Sequence, residues 1–85
     1  MKVHLVDRFS LTDEHAASIN GQPVLVDAKD GTAYGPDDPI PWGDRASARA
    51  FVRSFLKTGF LSKEERAFAK SFINLKNANS GESVH

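Results

Sequence analysis

The chain predicts a single α+β domain, on three observations: β-rich segments before Gly35, a proline-rich connector after it, and two amphipathic stretches with helix-capping residues beyond. With 85 residues there is chain for one hydrophobic core and not for two. Hydrophobic residues at 40% and charged residues at 26% match ordinary globular usage and not the composition of disorder. The architecture these features imply is a small, largely antiparallel sheet of two to three strands with a short helix over 12–19. A C-terminal antiparallel helical hairpin, 44–58 and 62–76, packs against it. Residues 1–76 form the compact unit, and 77–85 (NANSGESVH) is expected to be a disordered polar tail, having too little apolar surface to offset the entropy of ordering.

Val3 to Val6 is β-branched and alternating, and predicts a first strand that can run on to Phe9. Ser10 or Thr12 is placed to cap a two-turn helix over 12–19, with Asp13 and Glu14 at the positive end of its dipole and Asn20-Gly21 as its stop. Pro23 to Ala28 reads as the clearest strand. Asp30-Gly31 then suits a two-residue type I′ turn, with 32–35 returning and Asp27 opposite Tyr34. Val24, Val26, Ala28, Ala33 and Gly35 are expected to form the core face of this hairpin, and Leu25, Asp27, Lys29, Thr32 and Tyr34 the solvated one.

The segment Gly35 to Pro41 holds three prolines and can be neither helix nor ladder, so it is an ordered connector from which Ile40 and Trp42 tuck under the domain. Asp44 is expected to cap a helix ending near Thr58, with Gly59 left-handed and Phe60 covering Leu56. Ser62-Lys-Glu-Glu65 is a capping box opening the last helix. Ala48, Phe51, Val52, Phe55 and Leu56 form one apolar arc, and Phe68, Ala69, Phe72, Ile73 and Leu75 the other.

The absence of cysteine excludes disulfides, a thiolate nucleophile and thiolate zinc sites. No apolar run approaches the roughly 20 residues of a membrane span, and the start MKVHLVDRF does not read as a signal peptide, so a cytoplasmic location without a membrane partner is expected. The formal net charge of zero hides an asymmetry. Residues 1–43 carry three basic against seven acidic side chains, and residues 44–85 eight against four, so the halves stand at −4 and +4.

The basic half supplies the candidate binding surface: Arg45, Arg49, Arg53 and Lys57 at four-residue spacing form one helical stripe, and Arg66 and Lys70, with Lys63, add charge on the next helix. Such a surface suits phosphates or an acidic partner, unless Asp13, Glu14, Asp37 and Asp38 pair with it across the surface. A helix-turn-helix fits poorly, since bulky Phe55 stands where a small residue is favoured and Glu65 where an apolar one is needed. Tyr34, Trp42 and Phe60 are the candidate apolar contacts.

No catalytic constellation emerges around His4 or His15, and no His/Asp/Glu spacing suits a metal. Nor does any glycine spacing suit a phosphate loop. The expectation is therefore a non-enzymatic interaction or regulatory module without cofactor or metal. It would bind a protein partner, a second copy of the chain being one candidate, with a nucleic-acid accessory role as the disfavoured alternative.

Overall fold

The computed structural model describes residues 1–41 and 47–75. It is an α+β arrangement of a four-stranded antiparallel sheet followed by two helices. The strands β1 (Lys2–His4), β2 (Phe9–Thr12), β3 (Val24–Asp27) and β4 (Ala33–Tyr34) pair in sequence order as a meander, and α1 (Ala48–Phe55) and α2 (Lys63–Ile73) come after the connector.

No helix forms over 12–19: Thr12 ends strand β2, and 13–19 is turn and irregular chain. Phe9-Ser-Leu-Thr12 alternates large apolar with small hydroxylic residues, and both of its neighbours pair with it: Val3 and Leu25 lie opposite Leu11, and His4 and Val26 opposite Ser10. The Thr12 hydroxyl does accept the Glu14 amide at 3.0 Å, as a cap would, but the chain then enters a turn built on His15, whose Nδ1 accepts the Ala17 amide at 3.0 Å. The first strand is correspondingly short. Asp7, at φ 61°, turns the chain between Leu5 and Phe9, whose amide and carbonyl meet at 2.9 Å.

Asn20-Gly21 is a tight turn and not a helix stop, and Asp30-Gly31 does lie in the β3–β4 hairpin but in a longer loop than expected. Asn20-Gly21 forms the tight turn, with φ of 55° and 75° and the Gln22 amide donating to the Ile19 carbonyl at 3.0 Å, the pattern of type I′. Asp30-Gly31 closes a four-residue loop instead: the Gly31 amide donates to the Asp27 carbonyl at 2.7 Å and the Asp27 amide to the Thr32 carbonyl at 2.9 Å. The register is thereby two residues away from the expected one, with Leu25 opposite Tyr34 and Val26 opposite Ala33. Asp30 stabilises the loop through its carboxylate, which accepts the Thr32 amide at 3.1 Å; the Thr32 side chain first, and this amide second, hold its pKa below the ordinary aspartate value. Gly31 has φ 75° and nothing near the position of a Cβ, so Gly31→Val meets a purely conformational penalty. It is expected to cost more than about 1 kcal/mol in urea denaturation, whereas an unchanged midpoint would show that the loop adapts.

The core lies on the sheet face opposite to the expected one. Val3, Leu5, Phe9, Leu11 and Leu25 are fully buried beneath the helices, and Val24 and Val26 are only half-buried on the outer face. Strand β2 decides this. Phe9 and Leu11 must share a face with Leu25, and together they form a larger apolar surface than the small residues of the other face. Phe9 meets Phe51 of α1 edge-on at 5.1 Å between ring centroids, and Phe51 meets Phe55 at 5.2 Å. Asp27 shares the buried face. Its Oδ1 lies 2.8 Å from Arg8 Nε and accepts the Lys29 amide at 2.9 Å, while the Arg8 guanidinium sits 5.7 Å from the Phe9 ring centroid.

The helices are shorter than expected. Asp44 lies outside the described residues, and the cap of α1 is Ser47, whose hydroxyl accepts the amides of Arg49 and Ala50. The connector completes that cap: the Asp38 and Pro36 carbonyls accept the Ala48 and Arg49 amides at 2.8 and 3.0 Å. At the other end Thr58 takes the place intended for Gly59, which does not adopt a positive φ. The Thr58 hydroxyl donates to the Phe55 carbonyl at 2.9 Å and accepts the Phe60 amide at 3.2 Å. Ser62 and Glu65 form the expected capping box, with amide contacts of 3.1 and 2.9 Å. Ile40 is buried as expected; Trp42, Arg45 and the tail 77–85 lie outside the described residues.

Candidate functional site

The basic stripe divides once it is folded. Arg49 turns onto the body of the protein. Its guanidinium donates to the Ile73 and Leu75 carbonyls at the end of α2, and to Asp37 Oδ1 of the connector at 2.9 Å. Arg53 and Lys57, one and two turns later, are exposed and flank a shallow hollow of about 210 Å³ with Ala50 and Ser54. On α2, Lys63 and Lys70 are exposed and Arg66 is half-buried. Among the described residues, none of Arg53, Lys57, Lys63, Arg66 and Lys70 forms an ion pair.

Acidic residues of the sheet half and the connector that could have paired with this surface are engaged elsewhere, and Glu64, next to Lys63 in sequence, forms no ion pair among the described residues. Asp13 and Glu14 lie 2.7 and 3.2 Å from the Met1 amine, whose pKa the Asp13 hydrogen bond raises. Asp27 faces Arg8, and Asp38 accepts the Gly35 amide at 2.7 Å. The surface pairing expected between the stripe and Asp13, Glu14, Asp37 and Asp38 is present, among the described residues, only as Arg49 with Asp37. The reason is local: these carboxylates lie within reach of turn amides and of the Met1 amine, and a fixed short-range donor outcompetes a distant flexible cation.

Of the apolar candidates, Tyr34 packs against the core, 6.3 Å from the Phe9 ring, and burial raises its pKa above the ordinary tyrosine value. Phe60 is 49% exposed in the link between α1 and α2, its ring 6.1 Å from that of Phe55. It stands in sequence between Lys57, just after α1, and Lys63, at the start of α2.

A second concavity, absent from the sequence-based expectations, lies on the outer face of the sheet. Lys2, Ser10, Thr12, Glu14, His15, Val26 and Ala28 line a groove of about 330 Å³. Its signal in the sequence is the alternation of Phe9-Ser-Leu-Thr12, which places two hydroxyls on one face of a strand. Among the described residues no three of His, Asp and Glu converge as a metal site would require, and no helix is long and apolar enough to cross a membrane.

No protein-family model, curated protein or solved structure matches the chain.

Proposed function

We propose that the chain is a small non-enzymatic interaction module that binds an acidic protein partner through its helical half. Phe60 carries this reading: it is a half-exposed aromatic three residues in sequence from Lys57 and from Lys63, neither of which forms an ion pair among the described residues. An apolar anchor within a charged rim is the usual anatomy of a protein-binding patch. Arg53, Lys57, Lys63 and Lys70 extend the rim and give it a sign. Nucleic acid would be recognised by the same cations, but the helical stripe is interrupted where Arg49 turns inward, which removes one of its charges from the surface.

Selection from a displayed peptide library, followed by titration of the enriched peptides, tests this. Enriched sequences are expected to carry Asp or Glu beside an aliphatic or aromatic residue. Their affinity is expected to fall at least about tenfold in Phe60→Ser and in Lys57→Glu, and to weaken with salt. Enrichment without acidic residues, or affinity unaffected by both variants, would refute the reading. Stronger binding of random duplex than of any peptide would replace the protein partner with a nucleic acid.

A further inference from the structure

The groove on the outer face of the sheet is built from donors. Ser10 and Thr12 project from β2 on the side away from the helices, yet they are only 7% and 6% exposed, because the side chains and loop around them wall them in. The Thr12 hydroxyl already accepts the Glu14 amide, so the capacity it retains includes its own O–H as a donor. His15 accepts the Ala17 amide on Nδ1, so in the neutral ring the proton is on Nε2, which is left as a donor. Lys2 contributes an ammonium from the neighbouring strand. Ser10 makes no side-chain hydrogen bond among the described residues, and its hydroxyl opens into the groove, where it is free to donate to a ligand oxygen.

The opposing chemistry is modest. Glu14 is the acidic member of the lining, and its carboxylate is 3.2 Å from the Met1 amine. Val26 and Ala28 supply an apolar wall. One full positive charge, two hydroxyls and an imidazole N–H suit a monoanion, whereas a dianionic phosphate would need more positive charge to offset its desolvation beside Glu14. The apolar wall and the volume of about 330 Å³ suit a short hydrocarbon chain attached to that anion.

We infer that this groove binds a small organic carboxylate, with Lys2, Ser10, Thr12 and His15 on the oxygens and Val26 and Ala28 on the chain. The site is on the sheet face opposite the helices, so it is independent of Phe60 and of the partner proposed for it.

Amide chemical-shift titration of the full chain with butyrate tests the site, with butyramide, inorganic phosphate and a short peptide bearing a free C-terminus as comparisons. Butyrate is expected to saturate in the millimolar range, with the largest shifts at Ser10, Thr12 and Val26, and butyramide to leave them unmoved. Lys2→Gln, at an exposed position that leaves folding intact, is expected to weaken binding about tenfold, and Ser10→Ala about threefold. Shifts that fail to saturate, equal binding of butyramide, or undiminished affinity in Lys2→Gln would overturn the assignment. Tighter binding of phosphate or of the peptide at the same residues would overturn it in favour of that ligand.

Discussion

Leu25→Ala is expected to destabilise the protein by about 3 kcal/mol, and Val26→Ala, one residue along the same strand, by no more than about 1 kcal/mol. Leu25 is fully buried opposite Leu11 and in the same cluster as Phe51 and Phe72, so truncation leaves a cavity that large neighbours on a sheet cannot collapse into. Val26 faces the outer groove, where solvent can take up the lost volume. Equilibrium urea unfolding of both variants measures the contrast. Equal losses, or a larger loss at Val26, would mean that the sheet presents its other face to the helices.

Arg49→Met is expected to cost about 2 kcal/mol, in contrast with less than about 0.5 kcal/mol for Arg53→Met four residues later. The Arg49 side chain is 23% exposed and meets two kinds of partner. Ile73 and Leu75 offer carbonyls at the negative end of α2, where no intrahelical donor remains, and a guanidinium there satisfies them while favouring the dipole. Asp37 adds an ion pair in partial contact with water, which contributes less. Asp37→Ala should therefore lose about 0.5 kcal/mol, and most of the Arg49 effect should persist in its absence. A fully additive pair in the double-variant cycle would leave the ion pair without energetic weight, and a neutral Arg49→Met would do so for the whole clamp.

Arg49 also shows where sequence reading stops. Its four-residue spacing with Arg53 and Lys57 places it on the stripe, but the carbonyls that turn it inward belong to residues more than twenty positions later, and no local pattern announces them. The elements legible in the sequence are those whose determinants are local. The Ser62–Glu65 capping box satisfies itself within one turn, and the apolar arcs of Phe51, Val52 and Phe55 and of Ala69, Phe72 and Ile73 bury as expected. The meander is less legible. Phe9-Ser-Leu-Thr12 is a four-residue alternation beside plausible helix-capping residues, and a strand so short is fixed by pairing with both neighbours more than by its own propensity.

The two Asx-Gly turns make the same point from another direction. Either dipeptide tolerates positive φ, and both glycines adopt it at 75°, so the turn chemistry is legible at each. Loop length is decided elsewhere, by the register that puts Leu25 opposite both Leu11 and Tyr34. The candidate binding residues are legible as a basic population and not as a geometry. The structure separates Arg49 from Arg53 and Lys57, and the sheet groove depends on a strand whose four-residue alternation is too short to be decisive beside helix-capping residues.

The hydrogen bonds from Ala48 and Arg49 back to Asp38 and Pro36 have a consequence for how the gene can vary. They hold Pro36 and Asp38 beside Ala48 and Arg49 as a fixed gate, whatever the length of chain between them. Extra residues inserted just after Pro41 would lengthen only the chain between the two sides of that gate, and each doubling of its length should cost no more than about 0.6 kcal/mol of closure entropy. That makes the gate a permissive junction, where an evolving lineage could acquire a new recognition segment, or an engineer graft one, while the sheet and both helices keep their places.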